Sequence, residues 1–254
     1  MRFSLIIPAW NEAAFIGCTL QHMSAVLAQV HENTKHLGEL IVVDNNSTDN
    51  TAEIAGSFGV KVVFEPINQI ARARNRGAAA AKGQALIFLD ADTQCSYQLL
   101  VLVLARLGSS SVAGGGSSIT PDRPVSRSAM RGISAWNWIS SHANLAAGCF
   151  VYCRRDAFHA VGGFNERVYA GEELFLSRAL KRWGKQNSMT FDIVSKYPVV
   201  TSARKLDWYS PSQLGGQMII MLIPGAVYSK RFCKLWYDNR KRRNTSKRAG
   251  QIRY

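Results

Sequence analysis

The sequence predicts an α/β domain built on a mainly parallel sheet, and three observations predict it. Short apolar strands alternate with helical stretches through the first half of the chain. The runs "LIVV" and "LIFL" are unbroken, as strands buried on both faces require. Several strands stop abruptly at carboxylate or carboxamide residues, and in a parallel sheet such strand ends gather at one edge.

Taken in order, "FSLIIP" is a first strand, and residues 11–30 follow with helical spacing of Phe15, Ile16, Leu20, Met23, Leu27 and Val30. "ELIVVDN" is a second strand. The stretch 48–58 predicts a helix with Ser47 as its cap. "VKVVFE" is a strand, the Ala- and Arg-rich stretch 71–81 a helix, "ALIFLD" a strand and 97–107 a helix. Strands separated in this way by helices indicate βαβ units. From residue 109 to 132 the chain is rich in Gly, Ser and Pro, which predicts a mobile loop around one short strand at Val112. A helix holding Trp136 and Trp138 follows, one of the two expected in the core. Then come the strand "GCFVYCRR", a helix over 171–183, the strand "KYPVVTS" and an apolar helix over 210–223. No internal repeat and no long linker divides the chain.

A length of 254 residues with 47% hydrophobic content supports a sizeable core. The apolar stretch of "MRFSLIIPAWNE" is too short for a secretory leader, and no segment reaches the ~18 apolar residues needed to cross a bilayer. Five cysteines without a C-x-x-C spacing read as reduced thiols of a cytosolic protein rather than a disulfide frame or zinc site. The absence of G-x-x-x-x-G-K-[ST], and of G-x-G-x-x-G after a strand, argues against a P-loop or dinucleotide enzyme. The net charge of +14 is concentrated at the end: from Ser229 onward there are ten basic residues and one acidic residue, Asp238.

The strand ends hold the chemistry. The first strand runs into Trp10, Asn11 and Glu12, the second into Asp44, Asn45 and Asn46, and "ALIFLDADTQ" into Asp90 and Asp92. On an extended backbone residues two apart share a face, so these two carboxylates are expected on the same side. Like charges held close need a cation, and carboxylate oxygens suit Mg²⁺ or Mn²⁺ shared with a substrate diphosphate. Glu172 and Glu173 open a predicted helix, where they serve either the helix dipole or as a general base. In "ARARNRG", Arg72 and Arg76 are expected on a solvated face and Arg74 at a nucleotide.

Together the stretches "SLIIPAWNEAAFIGCTL", "IVVDNNSTDNTAEIA", "ARARNRGAAAAKGQALIFLDADT" and "GCFVYCRRDAFHAVGGFNERVYAGEELFLSRAL" resemble the family 2 glycosyltransferases, over roughly residues 3–180. The resemblance implies the GT-A fold, a Rossmann-like mixed sheet flanked by helices, over 1–205; the apolar run and the charge of the end add an apolar helix and basic tail over 206–254. It implies an inverting transferase that uses a nucleotide-diphosphate sugar and a divalent metal, Mg²⁺ or Mn²⁺. Residue by residue, Pro8, Ala9 and Glu12 would line the nucleotide pocket, and Asp44 would contact the base. Arg74 would approach the nucleotide, Asp90 the ribose, and Asp92 the metal. Gly148 would border the acceptor, and Glu173 would be the catalytic base with Glu172 beside it. Two departures stand out. The family's Glu-Asp pair is Glu-Glu here, and the late metal-binding His of some members has no counterpart after His159.

The competing readings are a nucleotidyltransferase that makes the donor and a basic nucleic-acid-binding protein. "PAWNEAAFIG" lacks the Gly-rich basic signature of the first, and charge confined to a tail disfavours the second. The acceptor is expected to be a glycan or lipid-linked molecule. The tail is expected to hold a cytoplasmic enzyme peripherally on an anionic inner membrane surface.

Overall fold

The computed structural model describes residues 1–109, 111–210, 213, 216, 223, 225–233 and 237. The predicted helix over 210–223 falls largely outside the described residues, as does most of the basic tail. Among the described residues no helix is long and apolar enough to cross a membrane.

The first four strands fall close to where the hydrophobic pattern puts them: β1 (Arg2–Ala9), β2 (Leu37–Asp44), β3 (Lys61–Phe64) and β4 (Ala85–Leu89). Helices α1 (Ile16–Thr34), α2 (Thr51–Ser57) and α3 (Ile70–Ala80) join them. β5 (Thr93–Gln94), α4 (Tyr97–Gly108), β6 (Val112–Pro121), α5 (Arg127–Ala143) and β7 (Phe150–Arg154) follow. The described part then continues with α6 (Arg155–Ala160), α7 (Glu172–Gln186), β8 (Thr190–Thr201) and α8 (Arg204–Trp208). The eight strands form one sheet in the order β3-β2-β1-β4-β7-β6-β8-β5. β1, β2, β3 and β4 are mutually parallel, whereas β7 runs antiparallel to both β4 and β6.

The sheet is buried on both faces, as its unbroken apolar strands require. Leu5, Ile7, Ile87 and Leu89 face one layer with Leu20, Met23, Leu100 and Val103. Ile6, Leu86 and Phe88 face the other, with Ala73, Phe158, Phe164 and Leu176. α4 is capped by Ser96, whose side chain accepts from Leu99 N at 3.2 Å.

Three local expectations are corrected. The stretch 109–132 is not a mobile loop around a short strand: ten of its residues form β6, inside the sheet, and α5 begins at Arg127. The glycines of β6, Gly114, Gly115 and Gly116, are there because neighbours leave no room for a side chain. A Cβ on Gly115 would stand 2.1 Å from the Asp192 carbonyl oxygen and 2.4 Å from the Tyr152 hydroxyl oxygen. Ser47 does not cap α2, which starts after Asn50; its hydroxyl instead accepts from Asn11 N at 3.0 Å. Finally, neither tryptophan joins the core: Trp138 is 63% exposed and Trp136 is half-buried.

Candidate active site

Register places the strand ends level. Ala9 is paired with Asp44, and because Ile6 is paired with Phe88, Pro8 stands level with Asp90. β7, running the other way, brings its start to the same edge, where Asp90 N donates to Cys149 O at 3.1 Å. The residues expected at the nucleotide thus come from strand ends, and Gly148 from the approach to a strand.

The Asp90–Asp92 segment is a turn rather than an extended continuation of β4, with Thr93 N donating to Asp90 O at 3.0 Å. Each carboxylate has its own arginine. Asp90 pairs with Arg74 Nη2 at 3.0 Å, and Asp92, buried, pairs with Arg204 Nη2 at 2.9 Å. Two like charges at a strand end are therefore held by cations arriving from opposite sides, one on α3 and one on α8.

Arg74 is almost fully buried. It donates to Glu172 Oε1 at 2.5 Å, to Asp90 Oδ1 at 3.0 Å and to Gly148 O at 2.6 Å, and its guanidinium lies 5.2 Å from the Phe164 ring centroid. Burial alone would lower its pKa, but Glu172, Asp90 and Glu173 outweigh burial and the net direction is up. Arg74 thus ties Asp90, the Gly148 backbone and the start of α7 into one unit. Of its flanking residues only Arg76 is on a solvated face as expected, whereas Arg72 is half-buried between Glu65 and Glu166, the latter at 2.9 Å.

Gly171 sets the direction of α7. It occupies the N-cap with φ 72°, a left-handed conformation that glycine adopts without strain, and turns the chain so that Glu172 and Glu173 enter the cleft together. The two differ in environment. Glu172 is buried against Arg74. Glu173 is half-buried as a residue, with its carboxyl end deep in the cleft against Gly148. A Cβ on Gly148 would lie 3.3 Å from Glu173 Cδ. Burial first and Glu172 second push the Glu173 carboxyl up to about 8, against the pull of Arg74. A carboxyl raised in this way is a stronger base than an ordinary carboxylate, and it becomes free to take a proton as pH rises toward its pKa.

Arg204 is the site residue that the sequence did not disclose. It donates to Glu12 through both terminal nitrogens, at 2.6 Å and 2.7 Å, besides pairing with Asp92. Phe15 and Trp208 flank its guanidinium, with ring centroids at 4.5 Å and 5.2 Å. Burial would lower its pKa, yet Asp92 and Glu12 raise it on balance. Its partner Glu12 is 192 residues away, so no local motif marks it. The one available signal was an arginine placed just after a strand and close to a tryptophan. Of the other expected residues, Ala9 and Asp44 are buried at the edge, with Asp44 Oδ1 accepting from Ser47 N at 3.1 Å.

Among the described residues no group of three or more His, Cys, Asp or Glu gathers as a metal cage. The residues present fit a different kind of site: hard carboxylate oxygens on Asp90 and Asp92, completed by a ligand's own phosphates, as Mg²⁺ prefers.

Known proteins agree with this architecture. AglE, a glycosyltransferase of Haloferax volcanii, is 27% identical over 206 residues, which are 77% of this chain and 66% of AglE. The structure of S. aureus TarS in complex with UDP-GlcNAc superposes with a TM-score of 0.61 at 19% identity, covering 80% of this chain and 59% of that one. The mannosyltransferase PcManGT from Pyrobaculum calidifontis, in complex with GDP-Man and Mn²⁺, gives a TM-score of 0.65 at 18% identity, covering 85% and 60%. This chain therefore spans less than two thirds of the length of each of these relatives. The description Glycosyl transferase family 2 fits residues 4–162, the stretch holding the strand-end carboxylates, Arg74 and Gly148. A match over more than half of the sequence, on a fold shared with such enzymes, makes the chain a member of the family 2 glycosyl transferases.

Proposed function

We propose that this chain transfers a sugar from a nucleotide-diphosphate sugar to a hydroxyl acceptor, with inversion at the anomeric carbon. The observation that carries this reading is the presence of two distinct carboxylate systems at one sheet edge. Asp90 and Asp92 are each matched to an arginine, while Glu173, across Gly148, has a raised pKa and no salt bridge among the described residues. The first suits a donor diphosphate and the second an acceptor proton. The UDP-GlcNAc complex of TarS and the GDP-Man–Mn²⁺ complex of PcManGT support the donor class and the cation.

In this reading Pro8, Ala9 and Glu12 line the nucleotide pocket, Asp44 reaches the base, and Asp90 stands by the ribose. Arg74 acts at the floor of that pocket by holding Asp90 in place. Asp92, with Asp90 and the diphosphate, would hold Mg²⁺ or Mn²⁺, which neutralises charge on the leaving group when bound. Glu173 accepts the acceptor hydroxyl proton. The freed oxygen bonds to the anomeric carbon from the face opposite the diphosphate, the bond to the diphosphate oxygen breaks, and its electron pair departs with the nucleoside diphosphate. Gly148, with no side chain, leaves the Glu173 carboxylate open to the acceptor. Glu172 acts through Arg74, which makes Glu173 rather than Glu172 the base.

Residues 1–205 would be the transferase domain. The segment 206–254 would bring it, in the cytoplasm, to an anionic inner leaflet bearing a lipid-linked or envelope-glycan acceptor. The support for this is the charge of the tail. Incubation with a panel of UDP- and GDP-sugars and Mn²⁺, followed by NMR of the anomeric configuration, tests the reaction. An inverted glycoside is expected. Pyrophosphate release from a nucleoside triphosphate and a sugar phosphate would identify a nucleotidyltransferase instead.

A further inference from the structure

The Asp92 side chain is only 8% exposed, and a buried carboxylate needs a positive partner. Arg204 supplies it, and the position of Arg204 is strongly determined. The pairing of β5 with β8 joins Thr93 to Thr201, and Ser202 N donates to Asp92 O at 3.1 Å, so α8 begins directly beside Asp92. Glu12 grips the guanidinium with two hydrogen bonds, and Phe15 and Trp208 limit its rotation. Its Nε is buried and has no hydrogen-bond partner among the described residues.

We propose that Arg204 is the resident counter-ion of Asp92, a positioning residue that makes cation binding at Asp92 conditional on the donor's arrival. The proposal rests on the reading of Asp92 as the metal-binding carboxylate. A divalent cation approaching alone meets a carboxylate that is already neutralised and a guanidinium of its own sign at contact distance, and such repulsion is weakly screened in a buried site. A diphosphate removes both obstacles. Its negative charge offsets the guanidinium, and its oxygens complete the cation's shell. The cation and the nucleotide then bind as a pair, each raising the affinity of the other by the same factor.

Mn²⁺ titrations followed by EPR on the intact chain test this, with Mn²⁺ alone and with UDP or GDP present. Arg204→Gln is expected to bind Mn²⁺ alone at least about tenfold more tightly than the unaltered chain, within the usual range of coupling between two ligands. The enhancement given by the nucleotide should shrink by the same factor. Adding Asp92→Asn to that variant should remove the gain. Arg204→Lys keeps the charge but loses the fork that spans Glu12 and Asp92. It is the variant safer for folding, checked by circular dichroism, and should show a smaller gain in the same direction. The proposal is overturned if folded variants bind Mn²⁺ alone no more tightly, while Asp92→Asn in the otherwise unaltered chain weakens Mn²⁺ binding in the presence of nucleotide. Arg204 is then a structural brace and the metal reading survives. If Asp92→Asn leaves Mn²⁺ binding with nucleotide intact, the metal reading itself fails and takes the proposal with it.

Discussion

The raised carboxyl of Glu173 makes a pH profile the most informative measurement on the proposed transferase. A base works only when ionised, so a base with an elevated pKa is active above that pKa and is lost as pH falls through it. With the Glu173 value at about 8, kcat/KM should rise with pH along a limb centred there. One pH unit below its pKa a group is about 10% ionised, so activity at pH 7 should be roughly a tenth of the plateau, and at pH 6 roughly a hundredth. Glu173→Gln should remove the limb and lower kcat by ~10²-fold or more while leaving the donor KM nearly unchanged. Glu172→Gln provides the control. It removes the like charge beside Glu173 and leaves one carboxylate fewer competing with Glu173 for Arg74, and both changes move the limb toward lower pH. Initial rates at saturating and limiting acceptor, from pH 5.5 to about 9.5, give both parameters. The reasoning is refuted if the limb sits in the ordinary carboxylate range. It is also refuted if Glu172→Gln abolishes the limb while Glu173→Gln leaves it in place.

Other outcomes follow from the same geometry. Gly148→Ala places a methyl 3.3 Å from Glu173 Cδ and should displace the base by a few tenths of an ångström, lowering kcat by about tenfold to 10²-fold with donor KM preserved. Unchanged kcat would show that the Gly148 contact is irrelevant to the base. Asp92→Ala leaves Arg204 still bonded twice to Glu12, so the fold should persist, seen as an unaltered circular dichroism spectrum, while transfer is lost. Full activity of this variant in the presence of a chelator would remove Asp92 from the metal site. Gly115→Ala forces a Cβ against the Asp192 carbonyl inside the sheet, and should lower the thermal midpoint by the equivalent of at least about 1–3 kcal/mol. An unchanged midpoint would return β6 to a loop. The intact chain should co-sediment with anionic but not neutral vesicles at low salt, and truncation after Ser229 should release it. Equal binding to both vesicle types would remove the electrostatic account of the tail.

Most of the sheet was legible in the sequence because periodicity and apolar runs are local signals. "LIVV" and "LIFL" became β2 and β4, and the carboxylates after them stand at the expected edge. Asp90, Asp92, Glu172 and Glu173 could be singled out because each pair is adjacent or nearly adjacent in sequence. β6 was misread because its "AGGGSS" run has the composition of a loop. The cause of that composition is crowding by Tyr152 and Asp192, which are nearly forty or more residues further on. Arg204 escaped notice for the same reason: its role exists only once β5 and β8 pair and carry α8 to Glu12 and Asp92. Arg74 was picked out for the right neighbourhood, but its burial beneath the site depends on Glu172, 98 residues away. Contacts of that range leave no trace in a single sequence.

The reversal of β7 has a consequence for how such an enzyme can diversify. Strands that end at the site, β1, β2 and β4, all precede residue 92, and the strand that begins there, β7, follows it. The groups proposed for the nucleotide sugar and those proposed for its recipient are therefore written in largely separate lengths of chain, joined through the few hydrogen bonds of Arg74. A recombinant that exchanges residues 148–186, from Gly148 through α7, between two such chains should inherit the donor preference of one parent and the recipient of the other, provided that both parents carry the arginine and its partners Asp90, Gly148 and Glu172.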